Sequence, residues 1–427
     1  MKRVAVVGAG IIGVTTAWYL REHGFDVTVY ERRAGVALGT SAANAGIIAP
    51  GYVTPWAAPG MPRKLASYLL AAESPLIYRP AANPAQWRWL AAWLRQCTPQ
   101  HYRRNRERMQ RLARYSREQL HLLRAATGID DQGTRGYLQL FRSEADVAMN
   151  APARAMLDEQ GIDYRLLDAQ QTRTLEPALQ SGTPLAGALH LPDDESANCQ
   201  LFATRLAELA EARGVRFEFG REVAAVRHAQ GRVTGLLLVR HRIAEPNTAA
   251  CNAVVVAGGV GSVPLLRRLG IAAPIYPVKG YSATMDLRSD AIPPRQAVMD
   301  EAYKTAITPL GRQVRIAGTA ELSGHGMRLR PSALKTLRKV ATDWFGDCFD
   351  LATAQYWVGA RPMTPDGPPL LGRTLLDGLF VNIGHGSTGW TMSCGSGRIT
   401  ADLVASLAPG LDLEGLTLAR LAEGRPT

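Results

Sequence analysis

The chain has 427 residues, 46% of them apolar and 20% charged, an ordinary globular composition that excludes collagen, coiled coil and wholesale disorder. At about 150 residues per domain it holds two or three domains, or one large fold with an intimate second lobe, and it buries a large core without disulfides or metals. Its 49 Lys and Arg against 37 Asp and Glu leave a net charge of +12, nearly all of it on arginine, which fits nucleic acid, an anionic membrane surface, acidic ligands or codon usage. The first element follows Met1-Lys2-Arg3. The apolar stretch Val4 to Leu20 has the outline of a secretory signal, but it lacks a small-residue cleavage site and is interrupted by spaced glycines. Read as structure, Val4-Ala5-Val6-Val7 is a buried strand. Gly8-Ala9-Gly10-Ile11-Ile12-Gly13 is a GxGxxG turn, Val14 to His23 a helix, and Phe25 to Tyr30 a second strand closing on Glu31. This is the dinucleotide-binding fingerprint in its strand–turn–helix–strand context. Gly8 permits the turn, Gly10 lets a pyrophosphate approach the backbone, and Gly13 allows close packing of helix on strand. The helix N-terminus offers N–H groups to phosphates, and Glu31 accepts hydrogen bonds from ribose hydroxyls.

The fingerprint alone does not decide between FAD and NAD; its surroundings favour FAD. After Glu31-Arg32 comes the small, polar run Gly39-Thr40-Ser41-Ala42-Ala43-Asn44-Ala45-Gly46, then Ile47 and Ile48, unusually apolar for a surface loop. Such a run suits the path of a long extended cofactor, so Arg32, Ser41, Asn44, Ala45, Gly46 and Ile48 join Val7 to Gly13 and Glu31 in the candidate cofactor set. Residues 61–124 combine Arg with Trp and Leu, as in Trp87-Arg88-Trp89-Leu90-Ala91-Ala92-Trp93-Leu94-Arg95. That composition fits an interfacial, non-spanning helix. Equally, Trp87, Leu90, Trp93 and Leu94 fit a core face at helical spacing.

Cys199 to Arg213 reads as a helix and Val215–Phe219 and Glu222–Val226 as strands, with Val223 near an adenine. Ala253 to Ala257 is a buried strand ending at Gly258-Gly259, where the chain returns to the cofactor. Ser282–Met285, Thr305–Thr308 and Val314–Ala317 alternate like an antiparallel sheet. Gln355 to Val358 is a strand before Arg361. Leu379 to Ile383 leads into Gly384-His385-Gly386-Ser387-Thr388-Gly389-Trp390-Thr391-Met392, a glycine-rich turn opening a helix to about Leu407. Gly258, Gly384, Gly389, Trp390 and Thr391 complete the cofactor set. The same turn also satisfies GxGxxG, but no acidic residue ends a second strand at the expected distance. Cys97, Cys199, Cys251, Cys348 and Cys394 lie far apart without metal-ligand spacing. That odd, scattered set points to a reducing, cytoplasmic setting and to no metal site.

Several of these segments resemble one family. Thr40 to Gly46, Pro50-Gly51-Tyr52, Pro55-Trp56-Ala57-Ala58-Pro59-Gly60, Leu138 to Arg142, Tyr276-Pro277-Val278-Lys279-Gly280-Tyr281-Ser282, Gly359-Ala360-Arg361-Pro362-Met363-Thr364-Pro365-Asp366-Gly367 and Gly384 to Met392 are similar to the bacterial D-amino acid dehydrogenases of the flavin-dependent D-amino acid oxidase/glycine oxidase superfamily. The resemblance runs nearly end to end. It departs at Ala360, where the family often has Leu, and at Arg240 to Pro246, which reads as a local insertion.

The resemblance implies an α/β fold with a Rossmann-like FAD-binding domain interleaved with an α+β substrate domain on an antiparallel sheet. It places the FAD domain at 1–60, 190–275 and 355–427 and the substrate domain at 61–189 and 276–354. It implies non-covalent FAD, a small D-amino acid as substrate, hydride transfer to flavin N5, and release of a 2-oxo acid and ammonia. Electrons then pass to a quinone or respiratory acceptor, with contact at the cytoplasmic face of the membrane; an oligomer stays open. Flavin amine oxidation needs orientation above all, and Arg361 is the carboxylate clamp the resemblance implies. Tyr281 and Tyr303 are further candidates, either bonding the carboxylate or filling a core. Lys304 points into the site, and His385 bonds or electrostatically attracts the flavin. Dehydrogenases or oxidases of D-hydroxyproline, glycine or sarcosine are the alternative within the superfamily, and a non-catalytic flavin subunit lies outside it. A nucleic-acid partner is disfavoured, since Glu107 and Glu118 interrupt the basic run and no module is recognisable.

Overall fold

Residues 1–70, 74–240, 243–346 and 348–421 are described by the computed structural model of the chain. The first apolar run forms the strand Arg3–Val7, which sits inside a six-stranded sheet. In order the sheet holds Leu370–Arg373, Leu379–Ile383, Ala253–Val256, Arg3–Val7, Asp26–Glu31 and Arg216–Phe219. Val6 lies level with Val255 on one side and Val29 on the other, both pairings parallel. Burial on both faces is why these strands read as continuous apolar runs rather than alternating ones. Helices Ile11–Glu22, Cys199–Ala212 and Gly389–Val404 cover one face, where Val14, Leu20, Phe202, Leu206 and Trp390 share a core with Val6 and Val29. A three-stranded antiparallel sheet, Arg221–Ala229, Arg232–Arg240 and Ile243–Ala250, caps the other face with Val233, Leu236 and Leu238. His241 and Arg242 of the expected insertion lie outside the described residues.

A second, larger sheet runs Gln355–Met363, Tyr276–Asp286, Gln313–Leu322, Thr305–Leu310, Ala297–Asp300, Thr134–Phe141, Gly187–Ser196 and Ile47–Ile48. Its main-path pairs are antiparallel except Ala297–Asp300 against Thr134–Phe141. The helix Pro331–Phe345 covers one face, packing Leu337, Trp344 and Phe345 on Leu138, Tyr281 and Ile316. Three short pieces enter this sheet from segments assigned by sequence to the cofactor domain: Ile47–Ile48, part of Gly187–Ser196, and Gln355–Met363. The last extends five residues beyond the predicted Val358. Paired along its length with Tyr276–Asp286, it sets Arg361 opposite Val278 on a strand rather than in a turn.

The basic stretch forms the helices Pro84–Gln96 and Pro99–Thr127. Trp89 and Trp93 are buried beside Tyr276 and Met363, and the Trp89 indole N–H donates to the Met363 carbonyl at 2.9 Å. Trp87 and Leu94 are 52% and 50% exposed, so the helical spacing serves a core on one side and a wet apolar strip on the other. Arginines of the long helix fasten it to distant chain: Arg108 holds Glu414, and Arg124 holds Asp131 and Glu195. Among the described residues no helix is long and apolar enough to cross a membrane.

Candidate active site

A cavity of about 2290 Å³ is lined by residues of both sheets. At one end its wall is mostly backbone. Gly8 holds φ +105°, and a Cβ on Gly13 would sit 1.8 Å from the Gly8 carbonyl oxygen, so this crossing of turn and helix admits only glycine. The first-turn N–H groups of Ile11–Glu22 have no partner within the helix; the Ile11 N–H donates to Ser41 Oγ at 3.1 Å. The Glu31 carboxylate, at the end of its strand, accepts from the Ala9 N–H at 2.9 Å and the Arg33 N–H at 2.8 Å, which fixes it at the rim. The loop after it is fastened by its own polar groups. Thr40 donates to the Ala360 carbonyl at 2.8 Å, while the Ala43 and Ala45 carbonyls accept from Ser282 and Thr308.

Farther along, the helix Gly389–Val404 points its N-terminus into the same cavity. The turn before it has Gly384 and Gly386 at φ +82° and +57°. Two side chains of this region carry buried polar atoms without a partner, Trp390 Nε1 and Asn382 Oδ1. Two helix N-termini, bare glycine backbone and orphaned donor and acceptor atoms fit an extended dinucleotide. The residues that would hold it are Gly8, Gly10 to Ile12, Glu31, Arg32, Ser41, Asn44 to Gly46 and Gly258, with Gly384 and Gly389 to Thr391 at the far end; all of these line the cavity.

The other end is made of side chains. Arg361 lies half-buried in the wall, its Nη1 donating to the Lys279 carbonyl at 2.8 Å and its guanidinium carbon 5.8 Å from the Trp56 ring centre. It is paired with no carboxylate among the described residues. Burial pushes it down to about 10, so it stays cationic at neutral pH. Gly280 makes room for it: a Cβ there would meet the guanidinium at 2.3–2.5 Å. Behind the same strand, Lys279 and Glu321 form a buried ion pair at 3.2 Å, 2% and 0% exposed in their side chains. Burial alone would raise the Glu321 carboxyl, but bonds from Ser323, Tyr281 and Lys279 hold it below its ordinary value. Lys304 and Glu301 pair across a tight turn that also lines the cavity. Burial opposes the Lys304 charge, yet the Glu301 carboxylate holds its pKa above the usual value. His385 is 3% exposed, its Nε2 3.0 Å from Ser396 Oγ, and burial pushes its pKa down to about 3.

The sequence profile described as FAD dependent oxidoreductase matches residues 3–403. This chain belongs to that family. It is 44% identical over 420 residues to D-amino acid dehydrogenase 1 of Mesorhizobium japonicum, covering 98% of this chain and 99% of that protein. It is 45% identical to a D-amino acid dehydrogenase of Rhizorhabdus wittichii, covering 98% and 100%. Glycine oxidase from Geobacillus kaustophilus shares the fold at a TM-score of 0.74 and 24% identity, over 98% of this chain and 99% of that one. As a member of this family the protein is an oxidoreductase that uses FAD.

Several sequence candidates stand elsewhere. Tyr303 does not line the cavity; its ring lies between Arg142 and Lys339 on the outer side of the large sheet, at 4.9 and 5.4 Å. Tyr281 reaches the wall, but its phenol donates to Glu321 and its ring joins the core under Pro331–Phe345. It therefore offers no hydroxyl to a ligand. His385 lines the cavity, and burial lowers its pKa. Val7, Ala9, Gly13, Ile48 and Val223 are not among the residues that line the cavity; Val7 and Val223 pack in the core with the three-stranded sheet, and Ala9 and Ile48 in the core on the helix-covered face. Sequence reasoning missed the roles of Gly280, Lys279 and Glu321. Gly280 stood in a family motif, but nothing in the sequence announces a lysine buried against a glutamate 42 residues away.

Proposed function

We propose that the protein oxidatively deaminates small D-amino acids to 2-oxo acids and ammonia. The observation that carries the reading is Arg361, a half-buried guanidinium paired with no carboxylate among the described residues, in the cavity that also holds the dinucleotide cradle. The two D-amino acid dehydrogenases that align along the whole chain supply the substrate class. When bound, FAD supplies the two-electron oxidation. The chain's residues do the orienting. A planar guanidinium takes the α-carboxylate through two parallel hydrogen bonds and fixes the substrate's rotation. Its anchor on the Lys279 carbonyl and its place over Gly280 fix the clamp. Tyr52 and Trp56 give the wall aromatic surface that excludes water.

Electrons leave, on this reading, to a quinone or other respiratory acceptor. The exposed strip Trp87, Ala91 and Leu94, flanked by exposed Arg88 and Arg95, suits an anionic membrane surface on the cytoplasmic side. Sedimentation with anionic vesicles that persists unchanged in a Trp87→Ala, Leu94→Ala double variant would remove this part.

Mixing the holoenzyme anaerobically with paired D- and L-amino acids tests the central reading. Bleaching of the flavin by D-alanine and not by L-alanine is the expected result; bleaching by neither overturns it. Arg361→Ala is expected to raise KM for D-alanine by about two orders of magnitude or more while the flavin spectrum stays intact.

A further inference from the structure

The cavity is also lined by the first part of the helix Pro99–Thr127 and by residues between 146 and 159, here called its arm. Arg106 lines it. This side chain is 3% exposed, and its Nε and Nη1 are buried without any hydrogen-bond partner. It forms no ion pair among the described residues. Two residues along the helix, Arg108 is buried to a similar degree and is fully engaged, by Glu414 and Asn105. A guanidinium taken out of water without a counter-charge is costly, so Arg106 is the exception on its own helix.

The carboxylates lining this part of the cavity have other partners or are exposed, Glu159 lying close enough to favour the Arg106 charge without bonding it. Glu159 pairs with Arg103 at 3.3 Å, and Glu301 pairs with Lys304. Asp146 closes the capping box of its own helix, and Glu107 is exposed. The arm connects with the clamp. Tyr102, one helical turn before Arg106, accepts a hydrogen bond from Thr54 Oγ1 at 2.9 Å. Two residues on is Trp56, whose ring faces Arg361. Arg106 and Arg361, neither in an ion pair with a carboxylate among the described residues, thus line one cavity.

We propose that Arg106 anchors a second carboxylate-binding subsite, distinct from the Arg361 clamp. The ligand is a carboxylate, held by charge-assisted hydrogen bonds from the guanidinium. It comes either from the side chain of a dicarboxylic substrate whose α-carboxylate is on Arg361, or from a separate small carboxylate anion. The first source rests on the function proposed above; the second does not.

The test uses holoenzyme. One arm measures kcat/KM for D-glutamate and for its uncharged isostere D-glutamine. If the side chain is the source, Arg106→Gln lowers the D-glutamate to D-glutamine ratio by about tenfold to a hundredfold, and Arg106→Lys recovers part of it. The other arm titrates acetate calorimetrically into Arg361→Ala holoenzyme, which silences the clamp. If a separate anion is the source, acetate binds there and its heat disappears in the Arg361→Ala, Arg106→Gln double variant. The proposal is overturned if the ratio moves less than twofold and acetate heats are the same with and without Arg106. Should Arg106→Gln fail to retain flavin, Arg106→Lys against Arg106→Met carries both arms. Should no D-amino acid reduce the flavin, the proposed function falls, and the acetate arm still decides the subsite.

Discussion

The two ends of the cavity handle charge by opposite means. At the nucleotide end the favourable field comes from peptide dipoles at two helix N-termini, and the side chains there are mostly small. At the substrate end it comes from formal charges on long side chains, each tied down: half-buried Arg361 on the Lys279 carbonyl, buried Lys279 on Glu321, and exposed Lys304 on Glu301. Dipoles in the backbone carry no large desolvation cost, but they need the ligand to come close. Such a site fails when a methyl group is added. Buried charges need compensation, so the second kind of site fails when one partner is removed.

Each half of that contrast can be broken separately. The largest effect is expected from Gly13→Val, whose Cβ would lie 1.8 Å from the Gly8 carbonyl oxygen. Protein purified from this variant should carry about a tenth of the normal flavin or less, read from its absorbance. Next comes Glu321→Ala, which strands Lys279 as a buried, uncompensated charge. Denaturant unfolding should show a loss of about 3–5 kcal/mol. The double change Lys279→Met, Glu321→Leu should restore much of it; a double variant as unstable as the single would show that the pair is not the unit. Gly280→Ala is milder, because its Cβ meets only the far end of the Arg361 side chain. Flavin content should hold while KM for D-alanine rises about tenfold. An unchanged KM would mean that Arg361 shifts without consequence.

The smallest effect is a pH slope. His385 has a folded pKa of about 3, against about 6.5 for the unfolded chain. Between those values the unfolded state binds the extra proton, so its contribution is complete above about pH 6.5 and is lost as the pH falls toward 3. The stability difference between wild type and His385→Gln should therefore shrink on acidification, by up to about a few kcal/mol. A difference constant with pH would count against a neutral, buried imidazole.

The same contrast explains what could be read in advance. The nucleotide end is built from consecutive residues, Gly8 to Gly13 and Gly384 to Thr391, whose roles are local, so the string carries them. At the substrate end the partners are Lys279, Glu321 and Arg361, brought together by strand pairing. Arg361 was legible through family resemblance alone. Tyr281 illustrates the difficulty. Where its strand pairs with Gln313–Leu322, the extra residue is Thr319 of that neighbouring strand, so nothing in Tyr281's own segment announces that its phenol meets Glu321. Tyr303 sits in a turn set by Asp300, whose carboxylate accepts from the Ala302 and Tyr303 N–H groups at 3.0 and 3.1 Å. No periodicity governs such a turn, so its direction was hidden. Strand pairing also joins segments that the resemblance assigns to different domains, since Gln355–Met363 pairs with Tyr276–Asp286.

One feature of the cofactor-binding sheet bears on how the chain is made. Arg3–Val7 lies beside Ala253–Val256, which lies beside Leu379–Ile383. The first helix packs on the last, where Thr15 Oγ1 donates to the Ser393 carbonyl at 3.1 Å. At a translation rate of about 5–20 residues per second, the N-terminal turn waits on the order of tens of seconds for its neighbours to leave the ribosome. During that interval Arg3–Val7 has its Asp26–Glu31 neighbour but exposes the edge that Ala253–Val256 will cover. The protein's output in a cell should therefore depend on holding chaperones more than its final stability would indicate.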